Sequence, residues 1–320
     1  MFEDLLLIAA GLVILLWGAD RFVMGASALA INLGVSPLII GLTIVGFGTS
    51  APEILISAVA SYDNNPGLAI GNAIGSNIAN IALVLGFTAL LVPLTVKSET
   101  LKREYPILLA VTLGSFVLLM DGEFSRIDGI ILMSGMFITI YTVTMLGLRS
   151  RTSDPIAQEY EDEIPTGVTT LKAVLWFLAG LFMLLLGSKL LVTGAVNIAT
   201  DMGVSDVVIG LTIVAIGTSL PELAATVMSA YKKEHDIAIG NIIGSNMFNL
   251  LAVLSIPGIV RPGAVPADIL SRDFPVMIIL TVLLFVISYG FRSPGKINRL
   301  EGAILLGIFI AYQVKLYLSS

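Results

Sequence analysis

An all-α polytopic membrane protein, with ten transmembrane helices in two five-helix repeats of inverted topology, is the fold class this sequence predicts. Three observations carry that expectation. The chain is 56% hydrophobic and only 12% charged, with a mean hydropathy of +0.97, where a soluble domain is about 25% charged. Apolar runs near the length needed to cross ~30 Å of hydrocarbon recur from end to end. The second half also repeats the first at an offset of 169 residues.

The spans are expected at about 3–33, 37–62, 66–92, 104–120, 127–148, 169–200, 205–231, 237–259, 274–290 and 299–318. The chain starts Met1-Phe2-Glu3-Asp4 and turns apolar without a basic segment or a small-residue cleavage site, so the first span reads as a retained helix. Spans one and six are long enough to imply tilt or a stretch beyond the bilayer. Ser36-Pro37 reads as an N-cap followed by an N1 proline, with Ser205-Asp206 as its counterpart. Inside 37–62 lies Gly46-Phe47-Gly48-Thr49-Ser50-Ala51-Pro52-Glu53, where two glycines and a proline weaken the helix. Broken backbone survives at membrane depth only against protein or around a polar cavity. If the helix resumes, the spacing puts Thr49, Ser50 and Glu53 on one face. In 66–92, Asn72, Ser76 and Asn80 recur every four residues as a polar stripe, with Gly71 and Gly75 beside it as a ridge that admits a close helix.

The stretch 149–168 is hydrophilic and carries Asp154, Glu159, Glu161, Asp162 and Glu163. It lacks the spacing of an EF-hand, so it reads as a solvated linker. The chain then divides into a first five-helix repeat at 1–148, a cytoplasmic linker at 149–168 and a second, inverted repeat at 169–320. The 169-residue offset maps Gly18 to Gly187, Gly25 to Gly194, Gly34 to Gly203, Gly41-Leu42-Thr43-Ile44-Val45 to Gly210-Leu211-Thr212-Ile213-Val214, and Ser76 to Ser245. The broken segment returns as Ala215-Ile216-Gly217-Thr218-Ser219-Leu220-Pro221-Glu222, and the stripe as Asn241, Ser245 and Asn249. Near the end of each half, Arg126-Ile127-Asp128-Gly129 matches Arg299-Leu300-Glu301-Gly302 at a slightly larger offset. Five spans is an odd number, so the second copy enters the membrane from the opposite side. Inverted halves with interrupted helices at matching places mark a secondary transporter with a midplane site. With the N-terminus outside, eleven Lys and Arg fall in inner loops and four in outer segments, which favours both termini outside.

The side chains on offer near the breaks are carboxylate, hydroxyl and amide oxygens, without His or Cys. Hard cations such as Ca²⁺ and Na⁺ prefer such a set, and zinc or copper does not. Two carboxylates and no central Lys or Arg also disfavour an anionic substrate. Glu53 and Glu222 together neutralise one Ca²⁺ or two monovalent ions. An empty site would carry uncompensated charge through an occluded state at a cost of several kcal/mol, which points to an exchanger rather than a uniporter. The chain has no cysteine, and its net charge of −6 with no basic patch gives no sign of nucleic acid. Asp20 and Arg21 in span one, opposite Ser188 and Lys189 in span six, read as charges that snorkel or pair locally. His235, the only histidine, is expected to be solvated in its loop, and Trp17 and Trp176 to face lipid or pack. An ion channel lacks a separate filter motif here, and an intramembrane protease lacks a Ser–His pair or facing central aspartates.

The paired Gly-Thr-Ser-x-Pro-Glu segments ending at Glu53 and Glu222, each followed by a Gly-Asn-x-x-Gly-Ser helix, resemble the two alpha-repeats of the sodium/calcium exchanger family. That family belongs to the calcium/cation antiporter superfamily, and the resemblance to a compact bacterial inner-membrane member covers essentially the whole chain. It implies side-chain ligands at Thr49, Ser50, Glu53, Ser76, Thr218, Ser219, Glu222 and Ser245, with main-chain carbonyls at Gly46 and Ala215. Asn80 and Asn249 take the last helix position of each repeat; some members carry an aspartate at the second, so Asn249 removes one possible negative charge. It further implies that spans one and six slide against a core of the other eight. The expected function is Na⁺/Ca²⁺ exchange by alternating access, with Ca²⁺/H⁺ or K⁺-dependent exchange at the same site as alternatives. No enzymatic activity and no cofactor are expected. The partners are the transported ions and the bilayer, and a monomer suffices because the two halves complete one site.

Overall fold

The computed structural model describes residues 2–35, 37–96, 101–149, 168–203, 215–288 and 295–319. The first half runs as α1 (Phe2–Leu33), a short helical turn (Pro37–Ile40) into α2 (Gly41–Thr49), α3 (Ala51–Tyr62), α4 (Pro66–Leu91), strand β1 (Leu94–Val96), α5 (Leu101–Leu119), β2 (Glu123–Phe124) and α6 (Arg126–Arg149). The second half runs as α7 (Thr170–Asp201), α8 (Ala215–Thr218), α9 (Leu220–Tyr231), α10 (His235–Val260), β3 (Gly263–Ala264), α11 (Ile269–Ser288), β4 (Gly295–Ile297) and α12 (Arg299–Ser319). Among the described residues seven helices are long and apolar enough to cross a bilayer, and an eighth if the bent pair α2–α3 counts as one span. Glu104–Leu119, within α5, is a shorter apolar helix. The expected start at Ser36, the start at Ser205-Asp206, the copy Gly210–Val214 and the acidic stretch 150–167 lie outside the described residues.

α1 and α7 have 32 residues each, about 48 Å at 1.5 Å per residue. They pack against each other along their length, which glycine permits. A Cβ on Gly11 would sit 2.8 Å from the Gly187 carbonyl oxygen, one on Gly18 2.7 Å from the Leu184 nitrogen, and one on Gly194 2.6 Å from the Asp4 carbonyl oxygen. Beyond the Gly18 approach Phe22 stacks on Phe177 with ring centroids 4.7 Å apart. These rings belong to a hydrophobic cluster with Leu15, Ala26 and Leu184 that also takes in Ile40, Val45, Ala224 and Ile237. The larger cluster is built around α4 and α10 and takes in α5, α6, α11 and α12. Hydropathy alone would place α10 in lipid like its neighbours, yet its most apolar stretch is fully buried, while that of α1 is 22% buried.

Two features depart from an all-α expectation of regular helices. Strand β1 pairs antiparallel with β4 (Leu94 with Ile297, Val96 with Gly295), and β2 pairs with β3 (Glu123 with Ala264). These strands of two or three residues each join one half of the chain to the other. In addition α4 passes through a π-helical turn at Asn80–Leu85 and α10 through one at Asn249–Val253, matching places at the 169-residue offset. A third π turn, Gly41–Val45, leads into the break.

The charges in α1 reach further than local pairing. Asp20 lies 3.7 Å from Arg21 but 2.7 Å from Lys232, in the turn before α10. Arg21 also sits over both Trp17 and Trp176. Two turns on, Ser27 donates to Glu234. The expectation of a solvated His235 is corrected: it is half-buried as the first residue of α10, between Glu234 and Asp236, which are both buried.

Candidate cation-binding site

The break between α2 and α3 occupies a single residue. Ser50 has φ −79° and ψ 5°, and the chain bends there by 50°. Pro52 then sits in the first turn of α3, where its missing N–H costs nothing. The break in the second half has the same form, with Ser219 at φ −88° and ψ 4° and Pro221 in the first turn of α9. Each glutamate follows within that first turn, so the bend carries Glu53 and Glu222 into the protein rather than toward lipid. They are 1% and 0% exposed.

α2 lies directly on α10. A Cβ on Gly46 would come within 2.9 Å of the Ser245 nitrogen, and one on Gly41 within 2.9 Å of the Ile237 carbonyl oxygen. That approach brings the Thr49 hydroxyl within 3.1 Å of Asn241 Oδ1 and 3.2 Å of Ser245 Oγ. Thr49 also adjoins the Glu222 carboxyl, Ser76 adjoins the Glu53 carboxyl, and the two carboxyls lie within electrostatic reach of each other. The broken helix of one half therefore meets the polar stripe of the other. In each repeat the stripe's first asparagine also holds the glutamate's backbone: Asn72 Nδ2 donates to the Glu53 carbonyl at 3.2 Å, and Asn241 Nδ2 to that of Glu222 at 3.5 Å.

Thr49, Ser50, Glu53, Ser76, Asn80, Ser219, Glu222, Ser245 and Asn249 are all buried, and Thr218 is half-buried. Several of their polar atoms find no protein partner: Ser50 Oγ, Glu53 Oε2, Asn80 Oδ1, Ser219 Oγ, both carboxyl oxygens of Glu222, and both amide atoms of Asn249. Buried polar groups are normally satisfied, so a set of orphaned oxygens around two carboxyls suits a cation of matching charge. Among the described residues no three His, Cys, Asp or Glu side chains are placed to hold a metal ion together, so hydroxyl and amide oxygens would have to complete any coordination shell. The Gly46 carbonyl is not released by the bend: it accepts the Ser50 N–H at 3.1 Å and lies 3.4 Å from the Thr49 hydroxyl. α8 includes Ala215, the matching position.

Sequence reasoning did not single out Thr226, which accepts from Asn241 Nδ2 at 2.9 Å. It also left Asn77 and Asn246 without a task, although each directly follows the serine that closes its Gly-Asn-x-x-Gly-Ser motif. The signal for Thr226 was its place four residues after Glu222 and three before Ser229, on the same helix face.

The sodium/calcium exchanger protein profile matches residues 4–145 and 172–318. CaxA of Alkalimonas amylolytica, described as a candidate antiporter, is 49% identical over 312 residues, covering 98% of each chain. The inner membrane protein YrbG of Escherichia coli (strain K12) is 38% identical over 313 residues, 97% of this chain and 96% of that one. A solved structure of the sodium-calcium exchanger NCX_Mj, soaked with zero Na⁺ and Ca²⁺, superposes with a TM-score of 0.84 at 33% identity, covering 98% of both chains. With its two interrupted helices, its buried carboxyls and a profile match across both halves, this chain belongs to the sodium/calcium exchanger family, a family of membrane antiporters.

Proposed function

We propose that the protein exchanges Na⁺ for Ca²⁺ by alternating access at a site shared between its halves. The observation that carries this reading is the pair of buried carboxyls, Glu53 and Glu222, ringed by hydroxyl and amide oxygens with no protein partner. In this reading Thr49, Ser50, Ser76, Asn80, Thr218, Ser219, Ser245 and Asn249 complete the oxygen shell, with the carbonyls of Gly46 and Ala215. Two negative charges balance one Ca²⁺, or two Na⁺ ions, so loaded forms cross while the empty form is held back. NCX_Mj, similar over nearly the whole chain, is named for the same pair of ions. The reading includes ten spans in two inverted repeats, both termini outside an inner membrane, and a monomer.

α1 and α7 would be the moving part. They face each other through glycine over most of their length, and the hydrophobic cluster they share with residues of α2, α9 and α10 is separate from the larger one. A second reading, Ca²⁺/H⁺ exchange, is favoured by one observation: Asn249 supplies an amide, leaving two carboxyls that could trade one Ca²⁺ for two protons.

Calcium uptake into proteoliposomes, driven separately by a sodium gradient and by a pH gradient, decides between them. Uptake that follows sodium and ignores pH is the expected result. Sodium-independent uptake driven by pH would overturn the sodium assignment.

A further inference from the structure

Beyond the oxygens that face the ions, the cage needs its amides turned the right way round. An asparagine in a cation site is useful only if Oδ1 faces the ion, because Nδ2 carries two protons. Asn80 has no neighbouring backbone donor to fix that choice. Its Nδ2 instead donates to Asn246 Oδ1 at 3.4 Å, across the boundary between the halves, and its Oδ1 is buried without a partner. Asn246 is 1% exposed and follows Ser245 in α10, one step around the helix from the site.

The repeat supplies the matching pair. The 169-residue offset carries Asn80 to Asn249 and Asn77 to Asn246, so the image of Asn80–Asn246 is Asn249–Asn77. That second bond is not made in this structure. Asn77 Nδ2 lies 3.4 Å from Met277 Sδ, a weak acceptor, and Asn77 Oδ1 has no partner. Both amide atoms of Asn249 are likewise unsatisfied. A buried acceptor and a buried donor are thus both vacant at the two positions that symmetry would join. The helical part of α4 packs against the π turn that begins at Asn249, just as the helical part of α10 packs against the one that begins at Asn80.

We propose that Asn246 and Asn77 are positioning residues for cation transport. Asn246 holds the Asn80 amide with its oxygen toward the ions, and Asn77 does the same for Asn249 when a cation draws that oxygen inward. The role rests on the proposed site. It requires only an acceptor at 246 and at 77, which separates it from simple core packing: aspartate keeps the acceptor, and leucine keeps the bulk without it.

The test is calcium uptake into sodium-loaded proteoliposomes, with KM and kcat measured separately and each variant checked for a monodisperse, cooperatively melting species. Asn246→Leu and Asn246→Ala are expected to raise the calcium KM about tenfold with kcat little changed, the loss typical of removing a group that orients a metal ligand. Asn246→Asp is expected to restore KM to within about threefold of wild type. Asn77→Ala and Asn77→Asp should follow the same order. Asn80→Ala and Asn80→Ala/Asn246→Ala should share one KM, because the second change has nothing left to orient. Independent, multiplying losses in the double variant, or equal damage from aspartate and leucine, would overturn the positioning role while leaving the exchanger reading intact. Wild-type vesicles that take up no calcium in either gradient would overturn both.

Discussion

The glycine ridges of α4 and α10 occupy matching positions but have different surroundings, and substituting them tests whether the two helices exchange roles. A Cβ on Gly244 would press on the Leu42 carbonyl oxygen and lie 2.8 Å from the Leu42 carbonyl carbon. Carbon atoms prefer about 3.5–4.0 Å, so Gly244→Ala forces α2 off α10 by close to ~1 Å. Overpacking of this kind costs about 1–3 kcal/mol, offset by up to ~1 kcal/mol of helix propensity. The same shift stretches the 3.1 and 3.2 Å contacts of Thr49 with Asn241 and Ser245 beyond hydrogen-bond range. Its counterpart Gly75 has open space: a Cβ there would meet nothing within 4 Å. Gly75→Ala is therefore expected to hold or raise stability in this conformation by about 0.5–1 kcal/mol. If alternating access gives α4 the close packing that α10 has here, Gly75→Ala should nevertheless slow exchange at least ~10-fold, the cost of about 1.4 kcal/mol against the other state. The assays are thermal unfolding in detergent and sodium-driven calcium uptake. A Gly75→Ala protein that exchanges at the wild-type rate would refute the exchange of roles. A Gly244→Ala protein that melts with wild type would refute the packing argument itself.

Other expectations concern the site directly. Glu53→Gln and Glu222→Gln should each abolish calcium uptake while leaving a folded, monodisperse protein; near-normal transport in either would move the site elsewhere. Calcium at 100 times its dissociation constant should stabilise the wild type by about 2.7 kcal/mol, read as a rise in melting temperature that both variants lose. Thr226→Val removes the 2.9 Å acceptor of Asn241 Nδ2, so it should destabilise by about 1 kcal/mol and raise the calcium KM a few-fold; an unchanged KM would mean that Asn241 holds its place without Thr226.

Much of the site could be read in the sequence because it is written twice. One Thr-Ser-x-Pro-Glu segment in an apolar run is ambiguous, whereas two at a fixed offset restrict the face, the partner helix and the chemistry. What escaped reading was geometry without a compositional mark. Asn80–Leu85 and Asn249–Val253 are ordinary apolar runs, and nothing in them signals the π turn that re-aims the helix after each asparagine. The helix break was expected from glycine and proline, but the bend falls on Ser50, and Pro52 is comfortable beyond it. Asn72 and Asn241 looked like equal members of a polar stripe, yet they serve the backbone of the glutamates. The openness at Gly75 against the closure at Gly244 is a difference between the halves that a repeated motif does not encode.

The two small ladders carry a consequence about ancestry. β1 and β2 lie in the first half and β3 and β4 in the second, and each ladder takes one strand from either half. One half acting alone would leave both of its strands with bare edges. In the proposed inverted arrangement, two such copies set antiparallel would close both ladders at once. Duplication and fusion would then have joined partners that already held each other. Halves severed between Arg149 and Val168 and made as separate polypeptides are accordingly expected to find one another in the same membrane.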